Sequence, residues 1–290
     1  MLKREEIRIR DPFVMPDREA GVYYLYGTTA LKEGLNAGNT FSAYKTRDLE
    51  NFEGPYTVFD GGKTGFWADR DFWAPEVHKY EGRYYLLGSF KAEGKRRATQ
   101  ILVADDPLGP FSPLTESPIT PAAWECLDGT LWVENGVPYL VFCHEWVQTE
   151  NGEMCALRLT PDLKAPAGEP FVLFKAGDNP AVDGFEGCAG RQCRITDGPF
   201  LFREEGKLKM IWSSLSGGKY AVLEAEADAL AGEWKHGGSR FTFDGGHAML
   251  FEDFDGVRRI SLHHPNTPPL ERAVSVSYTH LRAHETELHL

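Results

Sequence analysis

The sequence contains no apolar run of the ~18 residues that a membrane-spanning helix requires. It also lacks an excess of positive charge, because 31 Lys and Arg residues stand against 43 Asp and Glu residues, a net charge of -12. Nucleic acids and anionic membranes bind basic surfaces, so neither is expected as a partner. The N-terminal segment MLKREEIRIRDPF is charged and has no apolar signal core. This favours a cytoplasmic location, unless a secretion signal has been removed.

Cysteine is scarce, and an odd total of 5 does not fit a disulfide scaffold. Cys126, Cys143 and Cys155 lie in or beside apolar stretches, where small buried thiols are expected. Cys188 and Cys193 are close together in a Gly-rich loop and could pair or bind a metal. No second pair of Cys or His stands nearby at zinc-ligand spacing. Reduced, structural cysteines are therefore predicted.

Helical periodicity is almost absent. The segment AVLEAEADALAG could form a helix, but it could equally be a strand followed by a turn. Strand-like runs instead recur after a glycine: GVYYLYGTT, GRYYLLGSF, GVPYLVFCHEW, GKLKMIWSS and GVRRISLHH. Each follows an earlier strand and a short turn, and the pairs recur every ~50 to 70 residues, near the period of propeller blades. An apolar content of 42% is enough for a large buried core.

Five such units without a helical layer predict an all-β fold, a five-bladed β-propeller over residues 1–274. The first strand of each blade then lines the central axis. Asp11, Asp128 and Asp197 each stand at the head of such a strand. We therefore expect three carboxylates at matching positions of the repeat to meet at one mouth of the channel. The alternative is that each Asp only stabilises its own turn.

Five motifs occur in a fixed order along the chain: RDPFV, FWAPEVHKYEGRYYLLGSF, LDGTLWVENGVPYLVFCHEW, TDGPFLF and GGHAMLF. With these motifs the chain resembles glycoside hydrolase family 43 over roughly residues 7–272. The resemblance implies a five-bladed propeller that hydrolyses glycosidic bonds with inversion. The substrates implied are mostly arabinofuranosides and xylosides, here oligosaccharides of plant cell walls, and no cofactor is required for the chemistry.

The resemblance also implies roles for three residues. Asp11 matches the catalytic base, and Asp128 matches the aspartate that tunes and orients the acid. The acid of the family usually stands in a Glu-Gly-Pro motif, whereas this chain has Asp197 followed by glycine and proline. The shorter side chain withdraws the carboxyl by about one bond length, and Glu186 in the loop DGFEGCAGRQC is an alternative donor.

Acetal hydrolysis needs a proton on the departing oxygen and a water driven at the anomeric carbon. In an inverting enzyme the two carboxyl groups stand ~6.5 to 9.5 Å apart to admit that water. The acid must be protonated near neutral pH, and a neighbouring carboxylate raises its pKa by like-charge repulsion. We expect Asp128 to raise the pKa of the acid while Asp11 stays ionised.

The segment GFWADRDFWAPEV provides an aromatic cluster close to an inner strand. Aromatic faces stack on the C–H side of sugars, so Trp73 and Trp67 are candidate substrate-binding residues, although such rings also fill space between blades. By strand alternation Glu76 shares a face with Ala74. It is a candidate partner for substrate hydroxyls or a member of a salt bridge.

Three further polar residues are candidate sugar contacts: His144 and Glu145 in CHEWVQ, and Arg191 in the Gly-rich loop. The alternative is a polar strand end for the first two and an ordinary surface arginine for the third. The resemblance also implies a role for His247, at the head of the fifth inner strand, in binding a structural Ca²⁺ or Na⁺ ion in the channel. Calcium prefers oxygen ligands, so hydrogen bonding by this histidine is the alternative.

The last segment, residues 275–290, is polar and rich in His and Thr, and we predict a non-native tail there. Two alternative functions stay open. One keeps the chemistry but acts on galactofuranosides or galactans. The other is a propeller that binds carbohydrate without cleaving it. Asp11 and Asp128 favour catalysis, because a binding protein has no need of a pKa-tuned pair.

Overall fold

A computed structural model describes residues 1–29 and 38–278 of the chain. Its strands form five antiparallel sheets and one short hairpin. The first blade contains β1 (Leu2–Lys3), β2 (Arg10–Asp17), β3 (Val22–Thr28), β4 (Thr40–Thr46) and β5 (Asn51–Asp60). The second contains β6 (Arg70–Tyr80), β7 (Arg83–Lys91), β8 (Ala98–Ala104) and β9 (Ser112–Pro113). The third contains β10 (Cys126–Glu134), β11 (Val137–His144), β12 (Glu153–Arg158) and β13 (Phe171–Lys175).

A hairpin of β14 (Phe185–Glu186) and β15 (Gln192–Cys193) separates the third blade from the fourth. The fourth blade contains β16 (Asp197–Glu204), β17 (Lys207–Ser216), β18 (Lys219–Ala227) and β19 (Lys235–Phe241). The fifth contains β20 (Gly246–Glu252), β21 (Arg258–His264) and β22 (Arg272–Ser277). Helices are short: α1 (Gly61–Thr64), α2 (Trp146–Thr149) and 3₁₀ turns at Arg4–Glu6, Ala176–Asp178 and Cys188–Gly190. The predicted five-bladed propeller is confirmed.

In three blades the glycine that precedes the second strand lies in a tight hairpin turn. Both central residues of each turn have positive φ: Glu81 and Gly82 in the second blade, Asn135 and Gly136 in the third, Glu205 and Gly206 in the fourth. Turns of this kind match the right-handed twist of the flanking strands, and glycine adopts positive φ without steric cost. The repeat seen in the sequence therefore marks the turn between the first two strands of a blade.

The core lies between neighbouring blades rather than inside any one of them. Phe142 and Leu157 of the third blade, for example, share one apolar cluster with Leu87 and Ile101 of the second. Strands covered by a blade on each side are buried on both faces, as in β8, where all seven residues are buried. Full burial of one such side chain contributes roughly 1.5–3 kcal/mol. Each blade is thus stabilised mainly by its neighbours.

The ring closes between the first and fifth blades through Glu271. Its carboxylate lies 3.2 Å from Arg8 Nε and 3.5 Å from a guanidinium nitrogen of Arg10. Its carbonyl oxygen accepts a hydrogen bond from the backbone N–H of Ile9 over 3.3 Å. Because Glu271 is fully buried, these contacts hold the start of β2 firmly against the last sheet.

The proposed domain boundary at residue 274 lies within β22. Ser275 and Val276 pair with Ser261 and Ile260 of β21, and Tyr278 is buried against the fifth blade. Residues 279–290 lie outside the described residues, and their non-native origin stays a prediction. None of the helices in residues 1–29 and 38–278 is long and apolar enough to cross a membrane.

Two further sequence expectations are resolved by the fold. The segment AVLEAEADALAG forms the end of β18 and the turn after it, not a helix. The thiols of four cysteines are free and buried, as expected of reduced structural residues: Cys126, Cys143, Cys155 and Cys193. Cys193 is thus not part of a disulfide, and the side chain of Cys188 lies outside the described part of the structure.

Candidate active site

Each of the five inner strands begins with a β-bulge, at which its register against the second strand of the blade shifts. The residue in the bulge has φ between 50° and 55° in every blade: Asp11, Asp71, Asp128, Gly198 and His247. Bulges re-aim side chains, and Asp, Asn, His and Gly tolerate positive φ better than other residues. The five bulges therefore direct the heads of the inner strands to the same mouth of the channel.

Asp197 lies one residue earlier in the repeat than Asp11 and Asp128. Its strand partner is Ser213, and Gly198 occupies the bulge. The expectation of matching positions is thus confirmed for the first two aspartates and wrong for the third. In its place the second blade presents Asp71, which the functional interpretation of the sequence missed, although RDFW in this blade repeats RDPF of the first.

A bulge removes the backbone N–H of its residue from the strand ladder, and a side chain of another blade accepts the hydrogen bond instead. Ser89 Oγ accepts from Asp128, and Ser213 Oγ accepts from His247, both at 2.8 Å. In the fourth blade the acceptor is a carboxylate, because Gly198 donates to Asp128 Oδ2 at 3.0 Å. The bulges therefore lock neighbouring blades together at the site.

Asp11 is held by hydrogen bonds on several sides. The hydroxyl of Thr28 donates to its Oδ2 at 2.7 Å, and the same hydroxyl oxygen accepts from the backbone N–H of Ala74 at 2.8 Å. Nδ1 of His247 lies 3.3 Å from its Oδ1. Burial alone would raise the pKa of Asp11, but the charges of His247 and Arg10 and the Thr28 hydrogen bond bring that pKa below its ordinary value. Asp11 is therefore an anion at working pH.

His263 supports Asp11 as a neutral ring. Burial, and then the positive charge of Arg10, lowers the pKa of His263 to about 3. The backbone N–H of Asp11 donates to its Nδ1 at 3.2 Å, so the ring proton is on Nε2, which lies 3.2 Å from Asn266 Oδ1. Nδ1 of His263 also lies 3.5 Å from Asp11 Oδ1, but this contact is not an ion pair because the ring is neutral.

Asp128 interacts electrostatically with both of the other carboxyl groups, those of Asp11 and Asp197. Burial, and after it the charge of Asp11, raises the pKa of Asp128, although His247 at 3.7 Å and the N–H of Gly198 act in the opposite direction. Its side chain is almost fully buried. Asp128 thus acts on its neighbours by charge and by hydrogen bonding.

Asp197 has the opposite protonation preference from Asp11. Burial, followed by the negative charge of Asp128, raises the pKa of Asp197 to about 8. The hydroxyl of Tyr220 donates to its Oδ2 at 3.0 Å. Part of this residue is still accessible to solvent. A carboxylic acid that keeps its proton near neutral pH therefore shares the mouth with a carboxylate that has lost its own.

The alternative proton donor lies elsewhere. Glu186 is exposed on the β14–β15 hairpin, whereas Asp197 belongs to the carboxyl cluster. Arg191 of the same hairpin pairs with Glu150 at 2.6 Å, and both side chains are nearly half exposed. The structure thus brings Asp11, Asp128 and Asp197 together and leaves Glu186 on the surface.

Trp73 stands beside the bulge of the second blade with one ring face covered. The guanidinium carbon of Arg97 lies 3.7 Å from its ring centroid, a cation–π contact that holds the indole plane. Arg97 also pairs with Asp71 at 3.5 Å and with Glu145 at 2.9 Å. Burial raises the pKa of Glu145 to about 7 despite the arginine. Glu145 thus belongs to the support of Trp73.

Two other predicted sugar contacts, Trp67 and Glu76, already have partners within the protein. Trp67 donates Nε1–H to Gln100 at 2.5 Å. Glu76 is buried, with its carboxylate 2.9 Å from His78 Nε2. A second bulge between Trp73 and Glu76 breaks the simple alternation expected for this strand.

His144 uses both of its ring nitrogens. Nδ1 lies 3.0 Å from the Glu153 carboxylate and Nε2 lies 3.0 Å from Gln148 Oε1. The ring also stacks on Trp124 with a centroid distance of 4.2 Å. These contacts favour the polar strand end that the sequence left open as the alternative.

The surroundings of His247 bear on the predicted cation. Its Nδ1 faces Asp11 and Asp128, and although burial lowers the pKa of His247, these carboxylates raise it above its ordinary value. Within the described residues, no three side chains of His, Cys, Asp or Glu converge as metal ligands. A Ca²⁺ or Na⁺ ion would need water or backbone oxygens for most of its coordination, and it stays a prediction.

All five inner strands carry a bulge at the mouth where the site lies. Residues 6–283 match the model of Glycosyl hydrolases family 43. The chain belongs to this family. It is therefore a glycosidase, as the motifs predicted. The family 43 propeller explains how acids more than 100 residues apart in sequence, such as Asp11 and Asp128, gather at one mouth.

Relatives within family 43 are similar over different extents. The crystal structure of an endo-arabinase from Bacteroides thetaiotaomicron is 40% identical, with a TM-score of 0.87, and the match covers 96% of each chain. An α-L-arabinofuranosidase 43 from Humicola insolens is 28% identical over 167 residues, which are 54% of this chain and 32% of that protein. The matched region thus spans about a third of the length of this curated relative.

A more distant solved structure shows the same fold. A family 43 β-xylosidase/α-arabinofuranosidase from a compost microbial metagenome, in complex with xylotriose, is 17% identical. Its TM-score is 0.73, and the match covers 96% of this chain and 93% of that one. At this identity the likeness supports the propeller and no substrate.

Proposed function

We propose that this protein hydrolyses arabinofuranosyl linkages of plant cell-wall oligosaccharides with inversion at the anomeric carbon. One observation carries the proposal: two carboxyl groups at the same mouth are driven to opposite protonation states. The pKa of Asp11 lies below its ordinary value, whereas that of Asp197 is about 8. A base and an acid are thereby ready together at neutral pH.

In the proposed reaction Asp197 gives its proton to the glycosidic oxygen as the bond to the anomeric carbon breaks. Asp11 takes a proton from the water that attacks the opposite face of the sugar. The negative charge of Asp128 keeps the acid protonated until the reaction begins, and its hydrogen bond from Gly198 fixes this charge in place. The free face of Trp73 is the proposed platform for the sugar ring.

The choice of arabinofuranosyl over xylosyl linkages is supported by the relatives. The structure that is 40% identical is described as an endo-arabinase, and the curated relative as an α-L-arabinofuranosidase. The xylosidases among the solved structures are below 25% identity. Xylosyl and galactofuranosyl substrates therefore enter the test as competing outcomes.

The test is hydrolysis of debranched arabinan, arabino-oligosaccharides, xylo-oligosaccharides and a panel of nitrophenyl glycosides. The first anomer released is followed by proton NMR, and inversion is expected. Protein with Asp11→Asn, purified identically, is the control for contaminating glycosidases. Release of xylose alone would contradict the arabinofuranosyl proposal. Binding without release from any substrate would favour a carbohydrate-binding propeller.

The proposed cation near His247 has its own test, since no step above depends on it. Addition of Ca²⁺ to chelator-treated protein should raise the melting temperature if the site exists. An unchanged melting temperature in both Ca²⁺ and Na⁺ would contradict it.

A further inference from the structure

Tyr220 contacts the proposed acid although it belongs to the third strand of its blade. It lies on β18, is 5% exposed, and donates its hydroxyl hydrogen to Asp197 Oδ2 at 3.0 Å. The phenol has only this one hydrogen to donate. Tyr220 therefore distinguishes the two oxygens of the Asp197 carboxyl.

The ring of Tyr220 is held in a slot provided by the fifth blade. It stacks on His263 with a centroid distance of 5.6 Å and an interplanar angle of 18°. On another side it lies against Gly246, where an added Cβ would stand 2.4 Å from its Cε1. Any side chain at position 246 would thus push the ring away, and glycine keeps the slot open.

We propose that Tyr220 is a positioning residue that keeps the acidic proton of Asp197 on Oδ1, the oxygen that faces the substrate. This inference rests on the proposed function. With Oδ2 occupied as an acceptor, the proton of the neutral acid is carried by the other oxygen. When the Oδ1–H bond breaks, the proton moves to the glycosidic oxygen and the electron pair stays on the carboxylate.

The same hydrogen bond becomes stronger as the reaction proceeds. A hydroxyl donates more strongly to a carboxylate than to a neutral acid, so Tyr220 stabilises the charge that develops on Asp197 in the transition state. This role suits an aspartate, whose carboxyl is one methylene closer to the backbone than that of glutamate. Tyr220 thus fixes the orientation of the Asp197 carboxyl group, which is carried on a short side chain.

Other ionisable groups also face Asp197 from the elements packed around it. They are Asp128 on β10, His247 on β20, Arg10 on β2, Cys143 on β11 and Glu145 directly after β11. The ionised groups act on Asp197 through their charge, and Cys143 would do so only if its thiol lost its proton. A variant of Tyr220 leaves all of them in place, so its effect can be assigned to the hydroxyl.

The test is Tyr220→Phe in the full chain, assayed on an arabino-oligosaccharide. We expect kcat to fall about tenfold with KM unchanged, because a hydrogen bond to a developing charge is lost. The alkaline limb of the pH profile should move up by about one unit, because the hydroxyl no longer favours the ionised form of Asp197. The fall in kcat should be smaller on a dinitrophenyl glycoside, because its departing group needs little protonation.

Tyr26→Phe is the matched control. Tyr26 is also buried, and its hydroxyl donates to the carbonyl oxygen of Pro107 at 2.7 Å, away from the carboxyl cluster. This variant should lose a comparable amount of thermal stability while its pH profile stays that of the wild type. Gly246→Ala is a second test, because it retains the hydroxyl but displaces the ring. An added Cβ would also stand 2.8 Å from Ser213 Oγ, which accepts from the N–H of His247, so the kinetic defect should be at least as large as that of Tyr220→Phe.

Carboxyl ¹³C NMR titration gives a readout that does not depend on turnover. The Asp197 signal is assigned with Asp197→Asn, and its midpoint should rise in Tyr220→Phe. An unchanged midpoint, or an equal kinetic loss on good and poor leaving groups, would overturn the positioning role. Absence of wild-type turnover on every glycoside would instead overturn the proposed function and the catalytic part of this proposal, while the NMR midpoint still decides the contact.

Discussion

The backbone N–H of Gly198 donates to Asp128 Oδ2 over 3.0 Å, so the third blade is tied to the residue that follows the proposed acid. Gly198 has a φ of 50°, and a Cβ there would lie 2.8 Å from the ring of His247. The close approach of His247 requires glycine at this position, and glycine also adopts the positive φ without steric cost. The contact fixes the charge of Asp128 next to Asp197 and explains why a turn glycine belongs to the catalytic motif.

Asp11→Asn should remove almost all turnover and leave the fold intact. Asparagine tolerates the φ of 53° and can still accept from Thr28, but it cannot take a proton from water. Loss of the general base should lower kcat by about 10²- to 10⁴-fold. The check is kcat by reducing-sugar assay, with the melting temperature measured on the same samples.

Asp71→Asn is the matched control for that variant, because Asp71 occupies the same bulge position in the second blade. It contacts Arg97 rather than the attacking water, so its effect should fall mainly on KM. A loss of kcat as large as that of Asp11→Asn would contradict the assignment of the base to the first blade.

The wild-type pH profile should be broad, with its alkaline limb near pH 8. Activity is lost as pH rises through the pKa of Asp197, about 8, because the acid loses its proton. On the other side it is lost as pH falls through the pKa of Asp11, which lies below the ordinary value of 3.8. The measurement is kcat/KM across this range, which gives the pKa values of the free enzyme.

His247→Asn tests the origin of both limits. The charge of His247 lowers the pKa of Asp11 and that of Asp197, so its removal should move both limbs of the profile to higher pH. Movement of neither limb would show that His247 is neutral in the working enzyme. Asparagine is chosen because position 247 has a φ of 51°.

The fold was predictable because the turn glycines and apolar strands repeat along the chain. Asp11 and Asp128 were predictable because each stands in a motif at the head of an inner strand. The offset of Asp197 was not, since a bulge changes register without a mark in the sequence. Thr28 and Tyr220 lie on second and third strands with no motif of their own, and the pairing of strands within their own blades brings them to Asp11 and Asp197.

The substrate-binding predictions depended on the residue types near the motifs. Residue type alone does not distinguish a side chain that contacts the sugar from one that only holds such a side chain in place. Trp73 does lie at the mouth, but Glu145 reaches it only through Arg97, and His144 is engaged by Glu153 and Gln148. In each case the contacts made within the folded protein, rather than the motif itself, decide the role of the side chain.

Asp197→Asn should be inactive and yet more stable than the wild type at alkaline pH. The folded-state pKa of Asp197 is raised to about 8, above its value in the unfolded chain. Its favourable contribution to the free energy of unfolding is therefore fully present below the unfolded pKa and is lost as pH rises through the folded one. Asparagine does not ionise, so the stability advantage should grow from about pH 4, near the unfolded pKa, to about pH 8, the folded pKa. Chemical denaturation at several pH values measures this, and a difference independent of pH would contradict the raised pKa.

Trp73→Phe should raise KM about tenfold and change kcat little, because a smaller ring offers less area to the sugar. Arg97 covers one face of Trp73 at 3.7 Å, so substrate can stack only on the other. Trp132→Phe is the matched control, since Trp132 also has an arginine over its ring, Arg203 at 5.9 Å, but lines a cavity of about 730 Å³ at the far end of the inner strands. The two variants should lose similar stability, and only the first should weaken substrate binding. Equal changes in KM would place the sugar platform elsewhere and leave Trp73 as a packing residue.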